Sequence, residues 1–344
     1  MTLDEVVKRE KSENIPSPDF LSLDTQGSEL EILKGGEIAI GNTVVAIATE
    51  VSFTQIYEGQ PLFGEVTEYL KEIGFHLKQM NIIPVFIGGS HDLIFPLYQV
   101  FQEFKELVNM VSVDRSFDFS QEDELISGRS YMSKIIMEKP NVLNNYSNLG
   151  YQNYYCAVEE KDLMDKLYFE GIRLGQVLDD LRLVEPIFRD ADIVGFDMKC
   201  LSWDAIADPL KGQPNGIDSR SICALSRYAG ISDRVGFIGL YELPSTPMMD
   251  QLAAQIVWYF IEGFHYRFDE HPININNGFL KYSVTLSNQT IIFYKSEKSN
   301  RWWMELTNET NLDNKTKTRA LLALSLIHIS EPTRRRGISY SVLC

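Results

Sequence analysis

Four apolar runs in this chain each end on a charged residue or a glycine pair, and this pattern constrains the fold more than any other feature. Ile82–Ile87 closes on Gly88-Gly89, and Leu107–Val113 closes on Asp114. Asp192–Phe196 closes on Asp197, and Arg234–Leu240 is followed by Tyr241 and Glu242. Short runs of this kind, without polar alternation, read as strands buried on both faces. Helix-length segments separate them, so the expected class is α/β: a mainly parallel sheet with flanking helices. Open parallel sheets build their sites at the carboxyl ends of the strands. Polar residues at these ends therefore point to one functional edge, although acids that merely terminate strands give the same pattern. Upstream, Phe20–Asp24 and Thr43–Val51 read as further strands. The segment closed by Gly35-Gly36 and the segment Phe63–Ile73 read as helices. Downstream, Phe279–Leu286 and Asn288–Lys295 alternate around Ser287-Asn288, which predicts a small C-terminal antiparallel hairpin. Trp302-Trp303 are expected to seal that hairpin against the main domain.

Charge and composition narrow the partners. The chain has 344 residues, 44% of them hydrophobic, and a formal net charge of -16. Such a negative surface repels a phosphate backbone, so no nucleic-acid partner is expected. The longest apolar stretch, Leu252–Phe264, contains Gln255 and Glu262 and is too short to span a bilayer, so no membrane partner is expected. Asp4, Glu5, Lys8 and Arg9 follow the start with no apolar run behind them, against a secretory leader. The cysteines Cys156, Cys200, Cys223 and Cys344 show no paired spacing, and the first three read as buried, reduced thiols. A cytoplasmic protein is the expectation.

The strand ends carry recognisable groups. Gly88-Gly89-Ser90-His91-Asp92 follows the first run, and Asp114-Arg115-Ser116-Phe117-Asp118 follows the second. Gly195-Phe196-Asp197-Met198-Lys199 follows the third, with Asp208-Pro209 and Gly216–Arg220 behind it. Tyr241-Glu242-Leu243-Pro244 and Asp250 close the series. Alternate residues of extended backbone point the same way, so Asp114, Ser116 and Asp118 can share one cavity, as can Asp197 and Lys199. In this order the stations resemble the signature of the arginase, agmatinase and formiminoglutamase (ureohydrolase) family, over about residues 81–307. The formiminoglutamase-like branch is suggested by Phe293–Ser296 and Arg301–Trp303. The resemblance implies metal-assisted hydrolysis of a guanidino or formimino C–N bond in a small-molecule substrate. It implies His91, Asp114, Asp118 and Asp197 as metal ligands. It makes Asp114, Asp197 and Glu242 catalytic, with Glu242 meeting the cationic end of the substrate. The family holds two Mn2+ ions, but the second ion's own ligands are replaced here by Ser116 and Lys199. One Mn2+ at most is therefore expected, and the chemistry is expected to be weakened or lost. The Lys199 ammonium would stand where the second cation stood. The family's general-acid histidine has no counterpart in the segment Asn148–Gln152, read as a loop. A non-catalytic pseudoenzyme or binding protein of the same fold remains open, as does a homo-oligomer.

Two further resemblances divide the chain. Asp24, Gln26, Gly27, Glu29, Leu33 and Gly35 resemble a stretch of FkbM-type methyltransferases, over about residues 15–79. This implies a partial Rossmann-like fragment and leaves an S-adenosylmethionine-dependent methyltransferase fragment as another alternative. The cofactor cradle of that family would lie upstream of Met1, so no bound S-adenosylmethionine is expected, and Asp24 and Glu50 have nothing to act on. Leu324–Arg334 resembles a translated sequencing adapter, so His328 and Arg334–Arg336 carry no expected function. The resulting organisation is a methyltransferase-like fragment over 1–79 and an arginase-like core over 80–270 lacking its amino-terminal part. A C-terminal β extension covers 271–320, and an artefactual tail covers 321–344. Two partial folds meeting near Gln79 imply a chimeric sequence.

Overall fold

The computed structural model describes residues 2–12, 20–23, 29–42, 46–49, 63–120, 126–270, 278–286, 289–305 and 321–324. In chain order the elements begin α1 (Leu3–Ser12), β1 (Phe20–Leu23), α2 (Glu29–Lys34), α3 (Glu37–Asn42), β2 (Ala46–Thr49) and α4 (Phe63–Gln79). They continue β3 (Val85–Ile87), α5 (Ile94–Phe104), β4 (Val108–Val113), α6 (Tyr131–Met137), β5 (Leu143–Tyr151) and α7 (Val158–Lys166). Next come β6 (Glu170–Arg173), α8 (Leu174–Asp179), α9 (Glu185–Arg189), β7 (Ile193–Asp197), α10 (Trp203–Ile206) and α11 (Ser219–Ile231). The chain closes with β8 (Phe237–Tyr241), α12 (Pro247–Phe264), β9 (Phe279–Leu286), β10 (Gln289–Ser296), β11 (Trp302–Glu305) and β12 (Leu321–Leu324). A six-stranded, mainly parallel sheet runs β3-β8-β7-β4-β5-β6, as expected for the α/β class. The described chain divides into two compact units.

The first unit comprises Met1–Val108, Asp118–Leu143 and Gly236–Glu242. Thr2 and Glu5 start α1 with a reciprocal capping pair, at 2.8 Å and 3.2 Å. The Asp4 carboxylate then accepts from the N–H groups of Ile38 and Ala39 in the first turn of α3. Such capping satisfies donors that a helix start leaves without partners. β1 and β2 pair in parallel, Phe20 against Ala46 through Leu23 against Thr49. Leu21, Leu33 and Ile40 form a small core there, with Leu3, Ile32 and Ile73 against it. These two strands make a sheet of their own. The helix expected over Phe63–Ile73 continues to Gln79 and lies against α5. Phe75 stacks on Phe104 at 4.7 Å, and Gly74 permits the approach, since a Cβ there would sit 3.1 Å from the Val100 side chain. Strand β3 is shorter than its apolar run because Pro84, with no N–H to donate, precedes it; it pairs in parallel with β8, Val85 against Ile238.

The second unit comprises Asn109–Phe117, Asn144–Val235 and Leu243–Cys344. β4 and β7 pair in parallel, with Val113 opposite Phe196. Asp192, expected within the strand, instead precedes it. Its carboxylate accepts from the Arg234 guanidinium at 2.8 Å and from Asn109 N–H at 2.7 Å. β5 and β6 were not expected. The segment around Asn148 is strand, not loop, with a bulge between Leu149 and Tyr151. Its asparagines and serine have low strand propensity, but Tyr146, Ser147, Asn148 and Leu149 are all buried, and tertiary context overrides propensity. α11 and α12 cross closely at Gly230 and Gly263. The predicted C-terminal hairpin is present as β9 and β10, antiparallel from Phe279–Ser296 to Leu286–Gln289, within a four-stranded sheet β12-β11-β10-β9. Trp303 is buried under the Arg189 guanidinium at 4.9 Å, and Arg189 also donates to the Trp302 carbonyl. The Trp303 ring thus seals the sheet against α9, whereas the Trp302 ring packs on the other face against Tyr282. Residues 321–324, assigned to the tail, form β12 beside β11. Cys156, Cys200 and Cys223 are buried free thiols. Among the described residues no helix is long and apolar enough to cross a membrane. Asp24, Gln26, Gly27, Glu50, the turn Ser287-Asn288 and residues 325–344, with His328 and Arg334–Arg336, lie outside the described residues.

Candidate metal centre

Within the first unit, β3 hands the chain to Gly88 and Gly89, both at positive φ (107° and 75°). That backbone path favours glycine, and it brings Ser90–Asp92 into a tight turn. His91 there is fully buried. Its Nδ1 lies 3.4 Å from Asp118 Oδ2, and its Nε2 lies 3.4 Å from the Tyr131 hydroxyl. The imidazole sits between the rings of Tyr131 and Tyr241, at 4.6 Å and 5.2 Å. Asp118 and Glu242 both adopt positive φ, 59° and 57°, which is uncommon for residues with side chains. Glu242 N–H donates to the Gly89 carbonyl at 2.8 Å, and its Oε1 accepts from Ser90 Oγ at 3.0 Å. A Cβ at Gly128 would stand 2.8 Å from that hydroxyl and 2.9 Å from that carboxylate, so only glycine leaves the pair in place. Asp92 is a further buried carboxylate, to which the motifs assign no role. Burial lifts its carboxyl above the usual range, opposed by the Ser90 hydroxyl. Its place directly after His91 in the strand-end turn could have flagged it.

Within the second unit, Asp114 and Asp197 leave the carboxyl ends of β4 and β7 one residue beyond the Val113–Phe196 pair. Both are buried, at 0% and 4% exposure. Asp114 Oδ1 accepts from Ser116 N–H at 3.1 Å and lies 3.5 Å from Ser116 Oγ. Asp197 Oδ1 accepts from Lys199 N–H at 2.7 Å. The two substituted positions therefore hold the two carboxylates through their main chains. Cys200 beneath them is fully buried, and burial together with Asp197 and Asp114 pushes its thiol well up. β5 contributes at the same edge: Leu149 carbonyl receives Asp114 N–H, and Asn148 Nδ2 donates to the Ser116 carbonyl at 2.6 Å. The station Gly216–Arg220 leads into α11. Asp218 caps α11 through Ser221 N–H and hydroxyl, at 2.9 Å and 2.7 Å. Asp250 is exposed in the first turn of α12.

His91, Asp114 and Asp197 offer ligand atoms that all lie within 4.8 Å of one another, a possible metal site. Asp118 approaches it through His91 Nδ1. Like charges buried this closely are costly unless a cation balances them. Imidazole with carboxylates is a donor set suited to Mn2+ and similar divalent ions. The residues present thus fit a divalent metal ion.

Residues 1–77 match the methyltransferase FkbM domain family, so the likeness begins before residue 15 and includes most of α4. No curated protein matches the chain. Among solved structures, formiminoglutamase from Trypanosoma cruzi with Mn2+ is similar at TM-score 0.58 and 14% identity, over 78% of this chain and 99% of that one. An arginase superfamily protein from Trypanosoma cruzi is similar with the same TM-score, 0.58, at 14% identity over 78% and 99%. Formimidoylglutamase from Bacillus subtilis is similar at TM-score 0.56 and 11% identity, over 74% and 88%. At these identities the likeness is one of fold: the chain carries the fold of the formiminoglutamases and the arginase superfamily, with an FkbM-domain match at its amino-terminal end.

Proposed function

We propose that this protein holds one divalent ion, Mn2+ by its donors, at His91, Asp114 and Asp197 with Asp118, and retains weak hydrolytic action on a formimino or guanidino C–N bond. The convergence of His91, Asp114 and Asp197 carries this reading. When bound, an ion there supplies Lewis acidity and makes water a better nucleophile at neutral pH. Asp114 and Asp197 are the catalytic carboxylates, each oriented by the main-chain N–H two residues on. Glu242, held by Ser90, offers its charge to the cationic end of the substrate. The substrate is a small molecule, the setting is cytoplasmic, and self-association is to be read from solution mass.

Ser116 and Lys199 favour a second reading, a non-catalytic binding protein of the same fold. Neither replaces the imidazole and carboxylate that a second ion requires, and an ammonium repels a divalent cation. The FkbM match supports a third, an S-adenosylmethionine-dependent methyltransferase fragment. The domain division that accompanies the leading reading is 1–79, 80–270, 271–320 and a tail from 321, with β12 drawing 321–324 into the preceding sheet.

The test is metal analysis of protein loaded with Mn2+ and then dialysed, followed by a formamide-release assay on N-formimino-L-glutamate. One ion per chain with turnover supports the hydrolase. One ion without turnover supports the binding protein. No retained ion overturns the hydrolase and supports the non-catalytic protein, and binding of S-adenosylmethionine would instead favour the third.

A further inference from the structure

His91 is held from several sides by its own unit. Asp118 faces Nδ1 at 3.4 Å, the Tyr131 hydroxyl faces Nε2 at 3.4 Å, and the rings of Tyr131 and Tyr241 enclose the imidazole. A neutral imidazole carries one proton, and the nitrogen that keeps it cannot bind a metal. Asp118, one of the carboxylates that would hold the ion, faces Nδ1, which makes Nδ1 the nitrogen that would bind it. The opposite nitrogen must then carry the proton and needs an acceptor. Tyr131 supplies an oxygen at that nitrogen.

Tyr131 is itself fixed. It opens α6, with its N–H on the Ser127 carbonyl at 3.0 Å and its side chain fully buried. In the same helix Ser133 Oγ donates to the Phe119 carbonyl at 3.0 Å, one residue beyond Asp118. Ser120 N–H donates to the Arg129 carbonyl at 2.9 Å across the same loop. The start of α6 and the segment bearing Asp118 are thus tied together by two hydrogen bonds.

From this geometry we propose that Tyr131 is a positioning residue for the metal centre. Its hydroxyl oxygen accepts Nε2–H of His91, selects that tautomer, and turns the Nδ1 lone pair toward Asp118 and the ion. The inference rests on the one-ion reading and adds a residue that none of the strand-end motifs contains. Partners of this kind around a ligating histidine typically change metal affinity by about ten- to a hundredfold.

Tyr131→Phe removes only the oxygen and keeps the ring against His91. The experiment compares Mn2+ dissociation constants of the wild-type and Tyr131→Phe proteins, and their unfolding temperatures in chelator. It adds the 15N shifts of the His91 ring nitrogens after loading with Cd2+. The expected result is Mn2+ affinity about tenfold weaker or more in the variant, with nearly unchanged metal-free unfolding. In the Cd2+-loaded wild type, Nδ1 should be metal-bound and Nε2 protonated. Equal affinities, or a Cd2+-bound Nε2, overturn the proposal while leaving the one-ion reading intact. A metal-free unfolding temperature that falls together with affinity also overturns it, because Tyr131 would then act through the fold. Failure of the wild type to bind any divalent ion overturns the one-ion reading, and the positioning role with it.

Discussion

Ser116 and Lys199 occupy comparable places, each two residues beyond a buried aspartate and each giving that aspartate its main-chain N–H. Changing their side chains leaves those bonds intact, so the site can be tested without dismantling it. The double change Ser116→His with Lys199→Asp replaces a hydroxyl and a cation with two metal ligands. Metal content should rise from one Mn2+ per chain to two, measured by elemental analysis after dialysis. An unchanged count would sink the idea that Lys199 stands in for the second ion. The buried thiols give a second prediction at this scale. Burial lifts Cys156 to about 12 and Cys223 to about 11, and Cys200 well above its usual value. At pH 8 only about one Cys156 in ten thousand is thiolate, the form that reacts. Native protein should therefore leave these three unlabelled by iodoacetamide, and urea should expose them, as read by peptide mass mapping. The linkage sign is fixed as well. These groups keep their protons in the folded state above the pH at which the unfolded chain loses them. Stability is full below about pH 9 and should decline as pH rises toward 11–12.

Among the elements, the strands with apolar runs were legible and the polar ones were not. β4, β7 and β8 announce themselves by hydrophobicity, and acids stand at or just beyond their carboxyl ends. β5 hides because Asn145, Ser147 and Asn148 look like loop residues, and their partners, such as the Ser116 carbonyl, come from elsewhere in the chain. The same limit applies to the site. His91, Asp114 and Asp197 stand in strand-end motifs and were named as ligands through the family resemblance, whereas nothing local to α6 links Tyr131 to a residue forty positions earlier. Helix packing was also invisible. A Cβ on Gly230 would lie 2.2 Å from the Phe260 carbonyl oxygen, and one on Gly263 would lie 2.4 Å from that of Arg227. Both obstacles are backbone, so no side chain can rotate away. Gly230→Ala or Gly263→Ala should cost about 3 kcal/mol by overpacking, seen as a lower urea midpoint. A midpoint equal to wild type would mean that α11 and α12 separate without penalty.

For the whole molecule, the open matter is which part of the chain belongs to the folded protein. The adapter-like stretch begins at Leu324, yet Leu324 pairs with Trp302, and Ala323 with Trp303. Ala323 packs with Tyr294 and Trp303 on one face of the sheet, and Leu324 with Phe293 and Met304 on the other. Ala323 N–H also donates to the Asp190 carboxylate at 3.0 Å, so β12 fastens the sheet to the residue just beyond α9. Two truncations separate the contribution of this strand from that of residues 325–344. Ending the chain after Leu324 should leave the urea midpoint unchanged, because β12 and its described partners all remain. Ending it after Glu305 removes the strand, exposes the edge of β11 and uncovers Trp303. Losing the burial of Leu324 alone corresponds to about 2 kcal/mol, and a free strand edge adds a tendency to aggregate. The shorter chain should therefore unfold at lower urea and show higher light scattering. If both truncations match the full chain, β12 contributes nothing and the folded protein ends with β11. If both are destabilised, residues beyond 324 take part in the fold, and the adapter reading of the tail is wrong.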